Sequence, residues 1–186
     1  MKEEINKCIE ILKVGGLILY PTDTVWGIGC DATNEDAVKK IYQLKQREDT
    51  KSMIVLVAND AMLNKQVVEV PELAWNIIDI ATKPTTIVYP KAKNLAKNLI
   101  AENGSIALRM VKEGFVNQLV YRFNKPLVST SANLSDKPTP TNFSEISNEI
   151  KTGVDFIVNQ KFDTGNHQPS SIIQLGLAGE IKIIRK

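Results

Sequence analysis

Along this chain, short apolar runs alternate with longer stretches in which apolar positions recur every three or four residues. That alternation predicts strands and helices taking turns, the pattern of an α/β protein. Residues 1–14 place Ile5, Cys8, Ile9 and Leu12 on one helical face, interrupted by Glu3, Glu4, Lys7 and Glu10, and Gly15 ends the helix. The run over 16–20 stops at Pro21 and reads as a buried strand that delivers its C-terminal end to a loop. Ala37, Val38, Ile41, Tyr42 and Leu44 form the next helical face, with Thr33 and Asp36 resembling a capping box at its start. Residues 53–58 read as a second buried strand, and 59–70 as a polar, irregular stretch. Pro71 opens a helix with Leu73, Ala74, Ile77 and Ile78 inside and Trp75 at its edge.

Further on, 85–89 and 105–111 read as strands, with a short helical segment at 95–100 between them. Phe115, Val116, Leu119, Val120 and Phe123 make a helix face, 126–128 a short strand, 143–150 a helix and 156–158 a strand. The chain closes with two strands joined by a turn at 176–179. The expected fold is a single α/β domain over 1–186, a twisted mixed sheet flanked by helices, with its ligand site on a concave face.

Composition narrows the partners. Among 186 residues, 43% are apolar and 24% charged, and 23 basic against 21 acidic side chains leave a net charge of +2. A near-balanced charge gives no general attraction to nucleic acid or membrane, so any anion site has to be local. Two cysteines, Cys8 and Cys30, are too few for a disulfide framework and read as buried thiols of a reducing compartment. The first helix lacks the uninterrupted apolar core of a signal peptide, and no run reaches membrane-spanning length, so a cytoplasmic location is expected. The only histidine, His167, has no ligand partner in the sequence, and no metal site is expected.

The chemistry gathers at strand ends. Thr22, Asp23 and Thr24 place three oxygen-bearing side chains after the first strand, and Gly27 and Gly29 allow close backbone approach. Lys45, Arg47 and Lys51 follow the second helix; each alone is also explained as complementing a helix dipole, but three beside a hydroxyl loop favour phosphate. Arg109, late in an apolar strand, needs an anionic partner, either a structural glutamate or a ligand. Ser129, Ser131 and Asn133 follow another strand and by themselves read as a capped loop. There is no nucleophile, base and orienter set, so covalent catalysis is disfavoured.

The stretch YPTDTVWGIGCDATNEDAVKKIYQLKQR and the later LVSTSANLS together resemble the YrdC-type threonylcarbamoyl-AMP synthases, with their Y-P-T-[DE]-[TA], K-x-R and S-x-S-A-N elements. The resemblance covers nearly the whole chain, including ALRM at 107–110 and the closing PSSIIQL and IIR. It departs at Glu48, at Lys51-Ser52-Met53, at Lys83 and at Gln174, where the family commonly has other residues.

The resemblance implies an enzyme that joins L-threonine, bicarbonate and ATP into threonylcarbamoyl-AMP and pyrophosphate, for passage to a tRNA threonylcarbamoyl-transfer complex. It implies Lys45 and Arg47 as catalytic cations, with Lys51, Ser105, Ser131, Asn133 and Arg185 joining them around ATP. Thr22, Thr24, Arg109, Ser129 and Ser170 would hold threonine, and Mg2+ would travel with the nucleotide. Two other readings compete. An RNA-binding module is opposed by the balanced charge and the lack of stacking aromatics. A carbamoyl-transfer domain of the hydrogenase-maturation type is opposed by the absence of the further modules such chains carry.

Overall fold

The computed structural model describes residues 1–46, 53–177 and 179–186. Helix α1, Lys2–Lys13, buries Ile5, Cys8 and Leu12. It ends where Gly15, at φ +74, and Gly16 return their N–H groups to Leu12 and Ile11, a closure that a side chain at Gly15 would strain. Strand β1, Ile18–Tyr20, turns back through residues 21–26 into β2, Gly27–Gly29. Helix α2, Glu35–Lys45, is capped by Asn34, whose side chain accepts from the Ala37 N–H at 3.1 Å. The expected cap at Thr33 is therefore displaced by one residue. Asp31 takes both the Thr33 N–H at 2.8 Å and its hydroxyl at 2.6 Å, which holds the Thr33 side chain on Asp31 and leaves Asn34 as the acceptor for the first turn of the helix.

Strand β3, Ile54–Val57, precedes α3, Asp60–Gln66, in a stretch expected to be irregular. The Asn59 side chain caps it by accepting from the Met62 N–H, and Met62 and Leu63 anchor it to the core. Helix α4 is Glu72–Ile80, followed by β4, Thr85–Tyr89, a 3-10 turn at Lys97–Leu99 and β5, Ile106–Met110. Helix α5, Gly114–Phe123, leads into β6, Leu127–Ser131, which runs three residues beyond the expected strand end. The expected helix over 143–150 divides into a 3-10 turn, Phe143–Glu145, and α6, Asn148–Thr152, because Asn142 and Ser147 each cap a separate start. Strands β7, Phe156–Ile157, β8, Ser171–Leu175, and β9, Ile181–Arg185, complete the chain.

One nine-stranded sheet results, in the order β7-β1-β2-β6-β3-β5-β4-β8-β9. The pairs β1·β7, β3·β5 and β4·β8 are parallel and the other five antiparallel, so the sheet is mixed, flanked by helices as expected. Register decides where the site lies. Val128 pairs with Val55, Val55 with Leu108, Leu108 with Ile87 and Ile87 with Ile173, which makes one apolar row. Because side chains alternate across a strand, the neighbouring row points to the opposite face. That row runs Ser129, Ile54, Ala107, and Arg109 lies two residues further along β5 on the same face. Thr86 pairs with Ile172 and Ile172 with Arg185, which continues the polar face to β9, an edge strand exposed along its whole length.

Candidate functional site

Among the described residues several clefts of between about 710 and 870 Å³, open mouths included, cut the surface, so lining identifies the site. One is lined by Thr22, Thr24, Gly27, Ile54, Arg109 and Ser129, continuing to Ser131, Thr139, Ser170, Ile172 and Arg185. It gathers all five of the residues expected around threonine, and Ser131 and Arg185 of those expected around ATP. Their separation in sequence is closed by the register: β6, β3, β5 and β8 each contribute from the same face.

The loop 22–24 is wired by its own hydroxyls. Thr22 Oγ1 donates to Val25 O at 2.7 Å and accepts from the Thr24 N–H at 3.0 Å. Its single proton being committed, the 2.8 Å contact between the two hydroxyls has to use the Thr24 proton. Thr24 Oγ1 therefore presents only lone pairs to the cleft and reads a donor. A second chain segment clamps this loop from outside. Trp26 Nε1 donates to Asp163 at 2.7 Å, and Gly165 packs so closely that a Cβ there would lie 2.6 Å from Thr22 O and 2.8 Å from Thr24 O. Sequence reading missed this clamp. The two expected glycines divide: Gly27 faces the cleft beside Ser129 Oγ, whereas Gly29 makes room for Val128 O and the Tyr20 ring inside the sheet.

Arg109 is 3% exposed and donates through Nη1 to Asp23 Oδ1 at 2.5 Å. The partner expected as a structural glutamate or a ligand carboxylate is thus first an aspartate of the hydroxyl loop, while Arg109 also lines the cleft. On the far side, Arg185 Nε donates to Ser170 O at 2.8 Å and Nη2 to Ser170 Oγ at 3.4 Å. Ser170 Oγ in turn shares a 2.8 Å hydrogen bond with the fully buried Thr86. The Arg185 guanidinium is held below its ordinary pKa by partial burial and then by the charge of Arg109. Two guanidiniums close enough to oppose each other make the cleft receptive to anions.

The second wall is built differently. Lys45, at the end of α2, is 1% exposed, and its Nζ donates to Ser131 O and to Asn133 O, each at 2.5 Å. The Lys45 carbonyl accepts from the Ser135 N–H, so one residue holds the 131–135 loop through both side chain and backbone. Lys45 lies behind the Ser131 wall and does not line the cleft. Asn133 is behind it too: its Nδ2 donates to Leu134 O and Lys137 O, and its Oδ1 is buried without a partner among the described residues.

Ser105 is not brought to the cleft. It precedes β5 at the end opposite Arg109, about 13 Å away at strand rise, with its N–H on Asn103 Oδ1. Arg47 and Lys51 lie outside the described residues. Among the described residues no group of three His, Cys, Asp or Glu is placed to hold a metal, and His167 is exposed on its loop. Burial pushes the Cys8 thiol up to about 12 and the Cys30 thiol higher still, so neither supplies a thiolate.

The sheet and cleft define a class: an α/β protein whose polar sheet face carries fixed hydroxyls and two guanidiniums for a small anionic ligand. The family model Sua5_yciO_yrdC, described as "Telomere recombination", matches residues 10–186, and the chain belongs to that family. It is 36% identical over 171 residues to "Threonylcarbamoyl-AMP synthase" of Pseudoalteromonas translucida, which covers 90% of this chain and 91% of the relative. A relative of the same name from Enterobacter sp. is 33% identical over 185 residues, 95% of this chain and 93% of the relative. Among solved structures, P. abyssi Sua5 complexed with L-threonine has a TM-score of 0.82 and 27% identity over 92% of this chain. This chain spans about half the length of that protein, 50% being covered.

Proposed function

We propose that this chain is a threonylcarbamoyl-AMP synthase that acts in the cytoplasm on L-threonine, bicarbonate and Mg-ATP, releasing pyrophosphate and water. The observation that carries this reading is the single cleft in which buried Arg109 and the Thr22 and Thr24 hydroxyls face Ser131 and Arg185. The substrate carboxylate pairs with the Arg109 fork, a bidentate geometry that arginine suits. Thr24 Oγ1, an acceptor only, accepts a hydrogen bond from the substrate hydroxyl or amine, and Ser129 and Ser170 flank it.

With the substrate so fixed, its neutral amine attacks the carbon of bicarbonate-derived carbon dioxide to give a carbamate. A carbamate oxygen then attacks the α-phosphorus of ATP, and the bond to pyrophosphate breaks. No protein nucleophile takes part, which agrees with the buried, protonated thiols. Ser131 and Arg185 meet the phosphates, and Arg47 and Lys51, which follow α2 in the sequence, neutralise the charge that builds there. Lys45 and Asn133 hold the Ser131 wall from behind. Magnesium enters as part of the nucleotide substrate, where it neutralises phosphate charge; the hydroxyl and guanidinium lining suits an ion held by phosphates and water. The product goes on to a transfer step that modifies tRNA.

Incubation with radiolabelled bicarbonate, L-threonine and Mg-ATP, followed by separation of nucleotides, tests the reading. Label is expected in an adenylate whose formation requires L-threonine. Label that appears without threonine, or none at all, overturns the assignment.

A further inference from the structure

On the reading of the cleft as a threonine site, on which this proposal rests, we infer that Asp23 is the positioning residue that aims Arg109 at the substrate carboxylate. Three observations converge. First, Asp23 is the acidic group within ion-pair distance of Arg109 among the described residues, at 2.5 Å through Nη1. A guanidinium 3% exposed, with Nε buried and unpartnered, and opposed by Arg185, depends on that one contact for its placement.

Second, Asp23 approaches from behind. Arg109 lines the cleft with Thr22, Thr24 and Ser129, whereas Asp23 does not. Asp23 lines two other clefts, one with Lys83, Pro84 and Met110 and one with Phe115, Phe162 and Asn166. The ion pair engages Nη1 and Nε is buried, so Nη2 is the nitrogen that neither engages, and Asp23, which does not line the cleft, does not stand in the substrate's place. Third, Asp23 is itself immobilised. Its neighbours Thr22 and Thr24 are tied by their hydroxyls, its own carbonyl accepts from the Asn166 N–H, and Gly165 packs against the carbonyls on either side. An anion fixed between two substrate-facing hydroxyls sets the guanidinium in register with them. Orientation of this kind matters because a misplaced carboxylate carries the amine and hydroxyl with it.

The test is a pair of variants, Asp23→Asn and Asp23→Glu, in the full-length protein. Calorimetric titration of L-threonine gives binding without turnover, and pyrophosphate release gives KM for threonine and for ATP. Asp23→Asn keeps the shape and removes the charge. It should weaken threonine binding about ten- to hundredfold, by analogy with the loss of a partner that orients a metal ligand, while KM for ATP changes less than about twofold. Asp23→Glu, which restores the anion, should recover most of the threonine affinity at a melting temperature equal to that of Asp23→Asn.

Tighter threonine binding in Asp23→Asn would make Asp23 a competitor and overturn the proposal. So would equal loss for both substrates, or unchanged threonine binding. If the unsubstituted protein fails to bind L-threonine at all, the assigned function fails instead, and that result is visible before any variant is made.

Discussion

The two walls of the cleft use similar residue types in opposite ways. In the first, the hydroxyls of Thr22 and Thr24 are both the wiring and the surface that meets the ligand, with Asp23 and Gly165 locking the loop. In the second, the wiring lies behind: Lys45 holds the carbonyls of Ser131 and Asn133, and the Ser131 side chain is left to the cleft. A wall stiffened by its own reading groups suits discrimination of a small substrate, because each hydroxyl arrives with its proton direction set. A wall stiffened from behind suits a triphosphate, which is recognised by charge more than by the direction of single protons.

If that division holds, substitutions on the two walls separate the two substrates. The largest effect is expected at Arg47, which lies outside the described residues, two positions after Lys45 in the sequence. Arg47→Ala should lower turnover on the order of 10²–10³-fold, about 3–4 kcal/mol, with threonine affinity kept. Steady-state pyrophosphate release beside threonine calorimetry checks this, and a parallel loss of threonine binding would blur the two walls.

Next is Arg109→Ala on the first wall. Removing a paired, buried charge contact should weaken threonine by about 3 kcal/mol, on the order of 10²-fold, with ATP binding much less affected. Equal weakening of both substrates would make Arg109 a structural residue of the sheet. Lys45→Met should then cost about 2–3 kcal/mol in denaturant unfolding, since two carbonyls lose a charged donor, and should raise KM for ATP more than for threonine. The smallest effect is expected for Thr24→Val, about tenfold in kcat/KM for threonine, because it deletes one acceptor and nothing from the second wall. Thr24→Ser should keep most of the activity, and a competition assay between L-threonine and L-serine reads the difference.

Much of this was legible because it is local. Residues 16–29 announce a strand, a hydroxyl loop and a glycine-bearing return, and the register places Arg109, Ser129 and Ser170 on the face that loop overlooks. What escaped is either directional or long-range. Ser105 comes with the resemblance alone; it precedes β5 at the end away from Arg109 and does not line the cleft. Lys45 reads in sequence as a cation for phosphate or for the helix dipole; the carbonyls that take up its ammonium lie 86 and 88 residues away. The same holds for Asp163 on Trp26, 137 residues apart, and for Asp23 on Arg109, 86 apart. The short helix α3 stayed hidden because seven residues give too few repeats for a period to show, although Asn59 carries a cap signal.

The most direct test of the central claim is pyrophosphate release by the purified chain as components are left out one at a time. Release should require L-threonine and bicarbonate together with ATP and magnesium, and should proceed without tRNA. Release of pyrophosphate from ATP with threonine omitted, or release that begins only when tRNA is added, would contradict the account.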